Sequence, residues 1–91
     1  MLTPEYLNSF RKSYKNLRRG GRIQRVDVED IILIISKGDI LPIKYKDHKL
    51  NGEYEGYREC HVKQDILLIY KIDKINSILT LRYIGTHSEL F

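Results

Sequence analysis

Three histidines, His48, His61 and His87, fall in the second half of this 91-residue chain, near the ends of short β-like segments whose side chains can converge on one exposed patch. Imidazole, with an unperturbed pKa of about 6.5, is the side chain best suited to moving protons near neutrality. Taken singly, each histidine is most simply a solvated or hydrogen-bonded side chain, so the clustering is the chemical signal. Asp65 adds a carboxylate four residues past His61, across the Lys63-Gln64 turn, close enough to orient an imidazole or stabilise its protonated form.

Several chemistries can be weighed against this set. No nucleophile-elbow pattern is present, and Cys60, adjacent to His61 on a strand, would point to the opposite face; it reads as a small buried thiol without a disulfide partner. Zinc held by three histidines, or by two with Asp65, is chemically allowed, but no close two-histidine motif fixes a tetrahedron. There is no P-loop, no dinucleotide fingerprint and no second acidic pair for two-metal nuclease chemistry. Metal-free RNA cleavage remains. A base removes the 2′-hydroxyl proton, an acid protonates the 5′ leaving oxygen, and cations neutralise the phosphorane-like transition state. Histidines can supply acid and base, while Lys44, Lys46, Lys49, Arg58 and Arg82 are available to phosphate. Tyr45, Tyr57, Tyr83 and Phe91 offer stacking surfaces for bases, although burial in the sheet is the default for any one of them. DNA lacks the 2′-hydroxyl and is not a substrate for this route.

The elements that position these residues can be read from periodicity. With 42% hydrophobic and 31% charged residues the chain is too apolar and too evenly charged for a disordered tail, and it is expected to fold as one domain over residues 1–91. A chain of this size has one small core, so its site belongs on an open face. No apolar run approaches the ~18 residues of a membrane helix, and the basic N-terminus lacks a signal-peptide pattern; the expectation is a soluble, unprocessed cytoplasmic protein without membrane contact.

Thr3-Pro4 looks like an N-cap and first helical position, and Tyr6, Leu7, Phe10, Tyr14 and Leu17 follow at helical spacing to a stop at Gly20-Gly21. Arg11, Lys15, Arg18 and Arg22 form a separate, solvent-facing stripe. Residues 1–25 carry seven basic side chains against Glu5 alone, a charge of +6, leaving −2 on the other 66. Such a face attracts phosphate backbones or an acidic protein that competes with them. Asp27 to Lys37 reads as a second helix with an Asp27/Asp30 capping arrangement and a stop at Gly38. Beyond Leu41 the chain turns β-like. Arg58 to Lys63 is a strand, Asp65 to Ile72 a continuous apolar strand expected at the sheet centre, and Ser77 to Ile84 its hairpin partner. The predicted architecture is α+β: two N-terminal helices packed on one face of a small, mostly antiparallel twisted sheet.

The blocks from Tyr45 to Gly52 (YKDHKLNG), Gly56 to His61 (GYRECH), Asp65 to Tyr70 (DILLIY) and Gly85 to Phe91 (GTHSELF), in that order and spacing, closely resemble the YafQ branch of the RelE toxin superfamily. Members are bacterial toxins of type II toxin–antitoxin pairs that enter the ribosomal A site and cut messenger RNA. The resemblance implies that His48, His61, Asp65 and His87 form the acid/base set, with His87 leading and acid and base unassigned, and that Phe91 is the C-terminal aromatic. It also implies a cytoplasmic, cofactor-free endoribonuclease with a RelE-like fold. Ribosome and mRNA would be its targets, an acidic DinJ-like antitoxin its partner, and DNA would be met only through that antitoxin. The stripe Arg11, Lys15, Arg18, Arg22 would grip ribosomal RNA.

The chain departs from the family pattern at three positions. The phosphate-steadying arginine of such toxins lies two residues before the last block's glycine, where Tyr83 stands; Arg82 is one position earlier, on the opposite face of a regular strand. Either a bulge re-aims Arg82, or Arg58 or a lysine takes over, or the protein is a weak or inactive member that acts as an RNA-binding or antitoxin-bound repressor component. Ile66 replaces a tryptophan of some relatives, and Gln64 a common turn proline.

Overall fold

In the computed structural model, which describes residues 1–90, the chain runs β1 (Thr3–Tyr6), α1 (Asn8–Arg19), α2 (Arg25–Ser36), a 3-10 turn at Ile43–Tyr45, and β2 (His48–Lys49). A second 3-10 turn at Gly52–Tyr54 precedes β3 (Arg58–Lys63), β4 (Ile66–Asp73), β5 (Ile78–Thr86) and the short α3 (His87–Leu90). The strands form one sheet in the order β1-β5-β4-β3-β2, antiparallel except that β1 runs parallel to β5. The expected α+β arrangement is present. β4 is central, and Ile66 to Tyr70 is buried throughout, as its continuous apolar run requires.

Two local expectations are corrected. Thr3-Pro4 does not start the first helix: residues Thr3–Tyr6 pair with Ile78–Leu81 as an edge strand, where a proline without an N–H is tolerated, and α1 begins only at Asn8. The box that starts α2 is Gln24 with Asp27, not Asp27 with Asp30; the Gln24 amide donates to Asp27 Oδ2 at 2.9 Å.

One face of the sheet carries the core. Phe10 and Leu17 of α1 and Val28, Ile31 and Ile35 of α2 pack on Cys60, Leu68, Tyr70, Leu79, Leu81 and Ile84. Cys60 is free and fully buried, and burial pushes its thiol well above the ordinary range, so it is chemically silent. The core positions on β5 are 79, 81 and 84, a spacing that breaks the two-residue alternation. Its cause is a bulge: Tyr83 pairs with Ile69 and Leu81 with Tyr70, leaving Arg82 as the extra residue. Beyond Leu81 the neighbour β1 has ended, and two serines of α1 take over the exposed edge. Ser9 Oγ donates to the Arg82 carbonyl, and Ser13 Oγ accepts from the Ile84 amide at 3.3 Å.

The segment that carries His48 is anchored from the core side. Arg58 donates three hydrogen bonds to the Asp47 carboxylate at 2.8 to 3.3 Å, and the Tyr70 hydroxyl donates to the same group. Removing one member leaves the others half-buried without a partner, which is costlier than the net value of the bonds. Asp47→Ala is expected to lower stability by about 2–3 kcal/mol, read as a fall in Tm of roughly 10–20 °C. Thermal unfolding at neutral pH checks it; a fall below ~3 °C would mean that the three groups are satisfied by solvent.

Candidate functional site

The sheet face opposite α1 and α2 collects the chemistry, and the strand register specifies its rows. Residues directly opposite one another across a ladder share a face. His48, Glu59, Ile69 and Tyr83 form one row across β2, β3, β4 and β5; His61, Leu67 and Gly85 form the next. Adjacent strands lie roughly 4.8 Å apart, so such rows bring side chains of separate segments together. His87 follows Thr86, the partner of Ile66, at the end of the β4–β5 ladder. Thus His48 and His61 share the open face and His87 stands at its end.

Each imidazole is held differently. The His48 Nδ1 lies 2.8 Å from the Lys46 carbonyl oxygen and its Nε2 lies 3.3 Å from Glu59 Oε1, with half of the side chain open to solvent. Lys46 adopts a left-handed conformation, φ 50°, which turns the chain so that its carbonyl meets that ring. His61 is partly buried and lines a cleft of about 430 Å³ with Asp27, Asp30, Lys44, Lys46 and Lys63. His87 is the first residue of α3, exposed and fixed by a capping box. The Thr86 amide donates to Glu89 Oε1 at 2.9 Å, the Thr86 hydroxyl to the same oxygen at 2.7 Å, and the Glu89 amide to Thr86 Oγ1 at 3.3 Å. Those bonds, with Arg22 nearby, hold the Glu89 carboxyl below the usual range.

The bulge sets where the displaced arginine lies. Because Arg82 is inserted, both it and Tyr83 leave the core face. The Arg82 guanidinium carbon sits 5.4 Å from the Tyr54 ring centroid and 5.3 Å from that of Tyr57, a cation between two aromatic faces. Tyr83 folds over Gly85: a Cβ on that glycine would lie 2.6 Å from Tyr83 Cε2, so the absence of a side chain there is what admits the ring. Burial, then the neighbouring Glu89 and Tyr54, raise the Tyr83 phenol above its ordinary value, and it stays neutral at physiological pH.

Other candidates stand apart. Asp65 is 64% exposed and its ion-pair partner is Arg22, 3.6 Å away, rather than a histidine. Arg22 lies beyond the end of α1, facing Asp65 and Glu89, so the basic stripe on that helix is Arg11, Lys15 and Arg18 only. This corrects the four-residue stripe: Gly20 and Gly21 break the helix before Arg22. Arg58 faces the core side, engaged with Asp47, and Lys49 opposite it shares that side. Lys46 is exposed beside the His48 ring. Phe91 lies outside the described residues. Two site residues were not singled out from the sequence. Glu59 was legible as the residue two before His61 on a strand, and Tyr54 only once the 52–54 turn is seen to fold toward Arg82.

A family model described as "Bacterial toxin of type II toxin-antitoxin system, YafQ" matches residues 2–91. The "mRNA interferase toxin YafQ" of Escherichia coli K12 is 44% identical over 59 residues, 65% of this chain; the match spans 62% of that relative's length. A metal-bound toxin from Helicobacter pylori superposes with a TM-score of 0.93 at 40% identity, covering 100% of both chains. A chain of the E. coli DinJ-YafQ complex superposes with a TM-score of 0.86 at 32% identity, covering 100% of this chain and 99% of that one.

Proposed function

This chain belongs to the YafQ family of bacterial type II toxin–antitoxin toxins, and from that premise we propose that it is a ribosome-dependent endoribonuclease, held in check by a cognate antitoxin. It cuts messenger RNA in the ribosomal A site by acid/base catalysis without a metal ion. A base among His48, His61 and His87 removes the 2′-hydroxyl proton, the 2′-oxygen attacks the adjacent phosphorus, and the P–O5′ bond breaks as an acid protonates the leaving oxygen. The products are a 2′,3′-cyclic phosphate and a 5′-hydroxyl. Arg82 and Lys46 balance the charge on the phosphorane-like transition state.

The observation that carries this reading is the shared open face of His48, His61 and Arg82, with His87 at its end. A base, an acid and a cation on one surface are the parts this reaction requires. The displaced arginine favours a non-catalytic member; the place of Arg82 on the open face, between Tyr54 and Tyr57, supports the catalytic reading instead. Among the described residues no helix is long and apolar enough to cross a membrane, and no group of three or more His, Cys, Asp or Glu side chains is arranged around a metal position.

The test is 3′-end mapping of a messenger RNA in a purified translation reaction, with and without ribosomes. Cleavage is expected at A-site codons and only when ribosomes are present. Equal cleavage of naked RNA would replace the ribosome-dependent reading by a general ribonuclease, and no cleavage by a folded, antitoxin-binding protein would restore the repressor-component reading. Adding a chelator is expected to leave the cut pattern unchanged; loss restored by one divalent ion would transfer the chemistry to a metal.

A further inference from the structure

Glu59 is buried to 4% exposure on the same face as the histidines, directly across the ladder from His48. Its Oε1 lies 3.3 Å from His48 Nε2, and its Oε2 is buried with no hydrogen-bond partner among the described residues. A carboxylate taken out of water is costly, and an isosteric apolar residue would serve packing better. The position therefore calls for an account other than stability. The other nitrogen of the same ring supplies it: Nδ1 lies 2.8 Å from the Lys46 carbonyl. Carbonyl and carboxylate oxygens only accept, so the Nδ1 contact takes one ring proton and the Nε2–Glu59 ion pair forms only when the second is present.

We infer that Glu59 is a positioning residue that holds His48 as the imidazolium, so that His48 serves cleavage as the proton donor to the 5′ leaving oxygen. This rests on the acid/base reading above and deepens it. A doubly protonated ring has no lone pair for the 2′-hydroxyl proton, which leaves abstraction to His61 or His87. When the P–O5′ bond breaks, the leaving oxygen takes the place of Glu59 at Nε2, the Nε2 proton passes to it and His48 becomes neutral; the ring regains a proton from solvent and its contact with Glu59 before the next turnover. The half-exposed ring is open to substrate while the carboxylate behind it is not. The other ionisable groups on this face include His61 on β3, Lys71 on β4, whose Nζ lies 5.0 Å from the Tyr57 ring centroid, Tyr83 and Arg82 on β5, and the tyrosines Tyr54 and Tyr57 around Arg82, with Lys46 exposed beside the His48 ring; Asp47, Lys49 and Arg58 belong to the opposite side.

The experiment compares wild type, Glu59→Gln, Glu59→Asp and the double variant Glu59→Gln/His48→Ala in the ribosomal cleavage reaction from pH 5.5 to 9. The carboxylate favours the charged ring, so its neutral isostere lets His48 lose its proton at lower pH. Glu59→Gln is expected to move the descending alkaline limb of the rate profile down by about one pH unit and to cost ~10-fold at pH 8. Glu59→Asp recovers part of that loss, and Glu59→Gln adds nothing once His48 is alanine. A loss equal at every pH, or a further loss on top of His48→Ala, would make Glu59 a structural residue and overturn the inference. Movement of the ascending acid limb instead would make His48 the base and overturn it equally. Ring-nitrogen NMR of His48 in the free protein separates this from failure of the cleavage reading. If wild type does not cut at all, a doubly protonated His48 at pH 7 that becomes singly protonated in Glu59→Gln still upholds the pair, and an unchanged ring overturns it.

Discussion

Arg82→Ala is expected to reduce A-site cleavage by roughly 10²-fold while leaving ribosome and antitoxin binding within a few-fold of wild type, because the guanidinium acts on charge that develops only in the transition state. The expectation depends on the place of Arg82 on the open face. Regular alternation from the core residues Leu79 and Leu81 puts Arg82 on the open side and would bury the side chain at 83; the bulge leaves Arg82 unpaired between Leu81 and Tyr83, keeps Tyr83 on the same open side and returns Ile84 to the core. Two aromatic faces at 5.3 and 5.4 Å then hold the guanidinium plane, limiting the rotamers it must abandon on meeting phosphate. Lysine supplies the charge without a planar group to lie between the rings, so Arg82→Lys is expected to recover only part of the rate. The double variant Arg82→Ala/Tyr83→Arg moves the cation one residue along the same face and should recover more than Arg82→Lys. Quantitative 3′-end mapping measures all three. Arg82→Ala cutting within ~3-fold of wild type would shift the charge-balancing role to Lys46, the exposed cation beside His48.

Much of this geometry was visible in the sequence, and what was not has identifiable causes. β3 was read with its observed boundaries because Gly56 and the Lys63-Gln64 turn bracket it, and Gln64 does take a left-handed conformation there. β4 was legible as central because five consecutive apolar residues need cover on both faces. β1 was missed because its evidence is remote: four residues with no alternation are a strand only through pairing with Ile78–Leu81, and Pro4 imitates a helix start. The bulge is one of three alternatives open to the sequence, and the apolar spacing Leu79, Leu81, Ile84 records its change of phase. Sequence distance alone pairs Asp65 with His61. The fold instead turns it to Arg22, a partner 43 positions earlier that no local pattern connects to it.

Loss of His87 is expected to be the most damaging single change, with His87→Ala reducing cleavage by ~10³-fold or more and leaving the fold, ribosome binding and antitoxin binding intact. The side chain is exposed at the first position of α3, so its removal opens no cavity. Its backbone is held on both sides, by the ladder that ends at Thr86 and by the Thr86–Glu89 box. The pH behaviour of that box matters for interpreting the profile. Glu89 has a folded-state pKa below its ordinary value, so its stabilisation is complete above the usual glutamate range and is lost only as pH falls through the lowered value. The box is therefore intact between pH 5.5 and 8, and a change in rate across that range does not report melting of α3. Glu89→Ala separates positioning from chemistry. It removes the carboxylate that receives both Thr86 donors while sparing His87, and is expected to cost ~10-fold in rate and about 1 kcal/mol in stability, far less than loss of the ring. Cleavage and thermal unfolding measured on both variants decide the point. Equal losses in the two would mean that His87 matters for the shape of the C-terminal turn, and proton transfer would then rest with His48 and His61, which share the open face.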